Sequence, residues 1–137
     1  MKNLANCKPS EFLKQTNRIR KSVEKWLNVT DVMSIRRRKP ESMPEVQAGM
    51  SQDEVDAVRE KQRQMMAEQA QRNLKDMLDS MLDNHPDETL EVLALCCFVE
   101  PEHVDDHTVS EYLLSINELL ADEAVRDFFT FLMQLVQ

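Results

Sequence analysis

Asp87–Gln137 reads DETLEVLALCCFVEPEHVDDHTVSEYLLSINELLADEAVRDFFTFLMQLVQ, and this stretch decides the fold. Apolar residues are dense here and sparse elsewhere. From Leu90 to Val99 nearly every face is apolar, broken only by Glu91. A helix with no polar face is buried in protein or in lipid. Ten residues fall well short of the roughly 20 that cross a bilayer, so the run predicts the central buried helix of a small helical core. Two amphipathic helices follow. One carries the stripe Val109, Tyr112, Leu113, Ile116, Leu119 and Leu120. The other turns Val125, Phe128, Phe129, Leu132, Leu135 and Val136 inward, with Phe131 and Met133 to its sides. Thr108-Val109-Ser110-Glu111 forms a capping box for the first, and Asp122 caps the second.

Working backwards, Pro86 with Asp87 and Glu88 marks the start of the apolar helix. Ser51 and Glu54 form another capping box, which opens a long helix reaching Leu82 or Asp83. Its first half is a solvated stalk. Its second half, with Leu74, Met77, Leu78, Met81 and Leu82, joins the core. Glu41–Met50, with Pro44 and the single glycine Gly49, reads as a linker. Ser10 caps a basic helix running to Leu27, with a stripe at Phe12, Thr16, Ile19, Val23 and Trp26. Asn28–Asp31 interrupts it. A short helix through Val32, Met33 and Ile35 ends in Arg36-Arg37-Arg38-Lys39, stopped by Pro40. The fold class is therefore all-α: five to six helices, one of them long and central, and no sheet. Residues 1–40 form a basic head, 41–50 a linker and 51–137 an acidic body, within one cooperative domain.

The net charge of −8 is unevenly spread over the 137 residues. Residues 1–40 hold eleven Lys/Arg against three acids, +8; the remainder carries −16. Such a head reaches nucleic acid, docks on its own body, or docks on another copy. It lacks the interleaved aromatics of a nucleic-acid reader, which disfavours the first. Cys7, Cys96 and Cys97 have no framework spacing and read as reduced packing thiols of a cytoplasmic protein. The sequence begins with no apolar leader and contains no membrane span.

No motif carries catalysis. A phosphate loop needs more than one glycine, and Ser, His and Asp occur in no nucleophile context. His103 and His107 fall in an acidic loop rather than on one helix face, so no metal site is expected. No enzyme activity and no cofactor are expected either. The candidate partner-binding residues are apolar side chains expected at the surface, Met65, Met66, Phe128, Phe131 and Met133, together with the basic run Arg36, Arg37, Arg38 and Lys39. Ordinary packing is the plainer reading of the methionines, and a solvated helix end that of the basic run.

Several stretches resemble one family. Lys8-Pro9-Ser10-Glu11-Phe12-Leu13, Lys25-Trp26-Leu27 and Ile35-Arg36-Arg37-Arg38 stand at one end. Leu93-Ala94-Leu95-Cys96-Cys97-Phe98-Val99-Glu100-Pro101, Asn117-Glu118-Leu119-Leu120 and Glu123-Ala124-Val125-Arg126-Asp127-Phe128-Phe129 stand at the other. Together they resemble phage tail assembly chaperones of siphophages and prophages of Gram-positive bacteria. The likeness covers about two thirds of the chain and includes no catalytic signature. It implies a non-enzymatic helical protein in the cytoplasm of the host cell. Such a protein binds the long helical tape measure protein and keeps it soluble while tail tube protein polymerises around it; self-association is also compatible. The alternative is a small regulatory or DNA-associated helical protein acting through its basic head.

Overall fold

The structure, a computed structural model, describes residues 1–135, apart from the side chains of Leu132, Met133 and Leu135. The described residues are all-α and contain no strand. The helices are α1 (Pro9–Thr30), α2 (Val32–Arg36), α3 (Gln52–Leu78), α4 (Pro86–Cys96), α5 (Val109–Ala121) and α6 (Glu123–Leu135). A π-helical turn, Asp79–Asn84, extends α3, and a 3-10 turn, Pro101–Asp106, precedes α5. None of the described helices is long and apolar enough to cross a membrane. Two compact units result: Met1–Asn28 with Pro86–Gln137, and Val29–His85. The division follows a different line from the charge boundary, because most of the basic head belongs with the C-terminal helices.

In the first unit, Lys8 rather than Ser10 caps α1. Pro9 takes the first helical position, where a missing N–H costs nothing. The Phe12 N–H reaches the Lys8 carbonyl at 2.8 Å, and the Glu11 carboxylate accepts from the Lys8 N–H at 3.3 Å. The caps at α5 and α6 form as the sequence predicts. Thr108 Oγ1 accepts from the Glu111 N–H at 3.3 Å, and Asp122 Oδ1 from the Val125 N–H at 2.9 Å.

The apolar helix α4 stops at Cys96, three residues short of the expected Val99. Its end is a Schellman turn. The Val99 N–H bonds the Ala94 carbonyl at 3.0 Å and the Phe98 N–H the Leu95 carbonyl at 3.3 Å, with Phe98 left-handed at φ 58°. Nor is α4 buried all round: Ala94 and Leu95 are buried, while Leu90 is exposed. The core it joins is thin, made of Leu4, Ala94, Leu95, Cys97 and Tyr112. Beside them, Phe12 and Phe128 meet edge-on at 5.2 Å, and Phe129 lies 5.5 Å from Phe128.

Buried polar groups fix this arrangement. Gln15 Nε2 on α1 donates to the Leu95 carbonyl of α4 at 2.6 Å. Asn3, fully buried, donates to Ser115 Oγ on α5 at 2.9 Å. Tyr112 donates its hydroxyl to the Val104 carbonyl at 2.6 Å, which closes the 3-10 turn onto α5. On the surface Arg18 grips Glu100 through both nitrogens at 2.9 and 2.7 Å, and Lys25 meets Glu91 at 3.3 Å.

In the second unit, the helix expected to end at Leu27 continues to Thr30, with no break at Asn28. Ser80 Oγ on the π turn donates to the Thr30 carbonyl at 2.6 Å and so satisfies the helix end. Asp31 turns the chain with a left-handed backbone, φ 55°, and makes no side-chain cap. Val32 and Ile35 of α2 are buried. Along α3, Asn73 is buried and donates to the Arg38 carbonyl at 2.9 Å; Gln62 donates to the Pro44 carbonyl at 2.7 Å. Ser51 Oγ caps α3 by accepting from the Glu54 N–H at 3.2 Å. The π turn is closed by the His85 N–H on the Ser80 carbonyl at 2.9 Å, five residues back.

Candidate partner-binding surfaces

Among the described residues, seventeen large apolar side chains are exposed, while seven apolar side chains are buried. Scattered exposed apolar residues are normal, whereas contiguous ones mark interaction sites. Here exposed apolar residues join half-buried ones along three grooves.

The first is a groove of about 420 Å³ between the N-terminal segment with α1 and the start of α6. Leu4, Cys7, Pro9, Phe12, Leu13, Val125 and Phe128 line most of it. Its rim residue Leu13 is 64 % exposed. The edge-on ring pair of Phe12 and Phe128 holds its floor. The second lies between α5 and α6. Leu119, Leu120 and Phe129 line about 520 Å³ with Arg126 and Thr130. Leu120 is 71 % exposed, and on α5 Val109, Leu113 and Leu114 also face solvent. This corrects the expected inward stripe. The buried face of α5 is Tyr112 and Ser115, so Val109, Leu113 and Leu120 turn outward. The third groove, about 360 Å³, lies in the other unit, where Met66, Ala70, Leu74 and Met77 of α3 meet Arg36 and Arg38.

Against this map the sequence candidates divide. Met66 is exposed and lines the third groove, while Met65 is half-buried. Successive helical residues point about 100° apart, so the two cannot share a face. Phe128 is likewise half-buried, because its ring is taken up by Phe12 and Phe129. Phe131 is exposed. Met133 lies outside the residues whose side chains are described. Arg36, Arg37, Arg38 and Lys39 are all exposed. Arg38 pairs with Asp76 at 3.2 Å, and the other three make no ion pair among the described residues. The residues missed are Leu13, Leu114, Leu120 and Phe129. Leu120 and Phe129 sit in stripes whose inward and outward members look alike in sequence, and Leu13 and Leu114 each follow a stripe residue directly.

Burial, reinforced by the neighbouring Cys97, pushes the Cys96 thiol up to about 11; burial also raises Cys97. Both thiols are protonated at neutral pH, the unreactive form. His103 contacts Asp106 at 3.2 Å and His107 contacts Glu111 at 2.7 Å. No group of three metal-ligating side chains forms among the described residues. Arg18 holds the Glu100 carboxyl below its ordinary value, and the same hydrogen bond raises the guanidinium.

Comparison with known proteins returned no match: no family model, no curated protein and no solved structure is significantly similar to this chain.

Proposed function

We propose that this protein is a non-enzymatic tail assembly chaperone, which binds the helical tape measure protein of a phage or prophage and keeps it soluble during tail tube assembly. The observation that carries this reading is the uncovered apolar surface of α5 and α6, with Leu113 and Leu120 one heptad apart on α5 and Phe129 on α6 all exposed. An amphipathic client helix buries its own apolar face by lying along such a surface. The acidic residues between these side chains, Glu111, Glu118, Asp122 and Glu123, keep the unloaded protein in solution. Several copies along one long client would add avidity.

The test is co-expression with the tape measure protein encoded beside it. A soluble client that co-elutes with this chain, and returns to the pellet with Leu113→Asp/Leu120→Asp, supports the proposal. A client that stays insoluble with the wild-type chain sinks it. The competing reading, a DNA-associated protein, draws on the basic head. It is weakened because Arg18, Lys25 and Arg38 are engaged by Glu100, Glu91 and Asp76. Salt-sensitive retention on DNA would revive it.

A further inference from the structure

The basic run and the exposed methionine edge of α3, far apart in sequence, meet in one groove. Met66, Ala70, Leu74 and Met77 form its apolar floor, and Arg36 and Arg38 its edge. Met66 to Met77 covers eleven residues of rise, about 16 Å, the length of three helical turns. The floor is adaptable, since Met is unbranched and polarisable. The edge is not loose. Asn73, 5 % exposed, donates to the Arg38 carbonyl at 2.9 Å and approaches the Arg36 carbonyl at 3.5 Å. One buried amide therefore anchors the backbone of the run, and the cations project from a fixed base. Asp76 satisfies Arg38, leaving Arg36, Arg37 and Lys39 without an acidic partner among the described residues.

We propose that this groove takes an acidic amphipathic helix of a partner protein. Its apolar side chains lie on Met66, Leu74 and Met77, and its carboxylates meet Arg36 and Arg38, the two cations that line the groove. Charge complementarity selects this occupant: a neutral or basic helix would leave the unpaired Arg36 of the groove facing no counter-charge or a like one. The inference deepens the proposed function by naming the chemistry of one client segment, and rests on that reading only for the client's identity.

The experiment is fluorescence anisotropy of the full chain with two labelled 18-residue peptides. Both carry the same leucine stripe at helical spacing; one has glutamate on its flanks and the other lysine. The glutamate peptide is expected to bind at least tenfold more tightly, with affinity falling as salt rises. The charge reversal R36E/R38E, confined to exposed side chains, should invert that preference. Leu74→Asp should weaken both peptides, and circular dichroism checks that each variant keeps its helix content. Equal binding of the two peptides, no binding, or an unchanged preference in the double variant overturns the proposal. So does tighter binding of duplex DNA through the same two cations. A dimer in sedimentation that dissociates on Leu74→Asp also overturns it, because a second copy then fills the groove. Peptide binding without client rescue sinks the proposed function alone. Client rescue without peptide binding sinks this inference alone.

Discussion

The two compact units reach their buried interiors by different means. In the unit of Met1–Asn28 and Pro86–Gln137, Leu4, Ala94, Leu95, Cys97 and Tyr112 form an apolar centre beside the phenylalanine cluster. Polar bonds such as Gln15 to Leu95 supplement it. In Val29–His85 the buried apolar side chains are Val32 and Ile35, while Thr30, Asn73 and Ser80 are buried beside them. There the side-chain bonds to backbone carbonyls replace much of the core. A core held by apolar area is destabilised by loss of volume, through lost transfer energy and the cavity left behind. One held by hydrogen bonds is sensitive to loss of a donor, because the orphaned carbonyl keeps its desolvation cost. The second arrangement leaves the apolar side chains of α3 free for other uses.

The contrast can be broken by mutation. The largest effect is expected from Leu95→Ala, a loss of about 3 kcal/mol in denaturant unfolding, with the cavity adding to the transfer cost. A loss below about 1 kcal/mol would mean that the first unit is not held by its apolar centre. Next comes pH. Cys96 titrates near 9 when unfolded and about 11 when folded, so its contribution is complete below about pH 9 and is lost as pH rises through 11. A fall of roughly 3 kcal/mol across that window is expected, at about 1.4 kcal/mol per pKa unit. Cys96→Ala should flatten most of that slope, and an unchanged slope would place the titration elsewhere.

Asn73→Ala sharpens the comparison from the other side. It should cost roughly 1–2 kcal/mol and speed amide exchange around Arg36–Lys39. No change in exchange would show that Asn73 does not anchor the run. Asp31→Val should cost a similar 1–2 kcal/mol, because a β-branched residue resists a left-handed backbone. Asp31→Gly should be neutral or mildly stabilising; equal losses for both would remove the conformational explanation. The smallest effect belongs to Glu100→Gln. The Arg18–Glu100 pair is solvent-exposed, and such pairs add little. What it does add is present above the ordinary carboxyl pKa and fades as acid titrates the lowered Glu100. A melting shift at pH 7 as large as that of Asn73→Ala would refute this ranking.

Local signals were the legible ones. The capping boxes at Ser51/Glu54 and Thr108/Glu111, the Asp122 cap and the Pro86 start all sit within one turn of what they fix. The ends that escaped were decided at a distance or by an unusual residue. Thr30 is satisfied by Ser80, fifty residues away, and α4 turns off through a left-handed Phe98 where glycine is the common choice. The facing of α5 was also illegible. Tyr112 and Leu113 are both apolar, and only the Tyr112 hydroxyl's bond to Val104 shows which of them goes inside. Leu4 and Asn3 precede any periodic pattern and gave no signal of burial. As for the candidate surface, residue type pointed to Met66 and Phe131, but their setting depends on neighbours that periodicity does not specify.

The bond from Asn3 to Ser115 joins residues 112 apart. It therefore imposes an order on the protein's birth. Val29–His85 is one continuous segment and can assemble as soon as it clears the ribosome. The other unit must wait for α5. At about 5–20 residues per second, the interval between Asn28 and Ser115 is roughly 4–17 s. Throughout that time Phe12 of α1 has neither Phe128 nor Phe129 to pack against. Contacts of such separation slow folding through the entropy of closing the intervening loop. Folding of Val29–His85 ahead of α5 would shorten that loop.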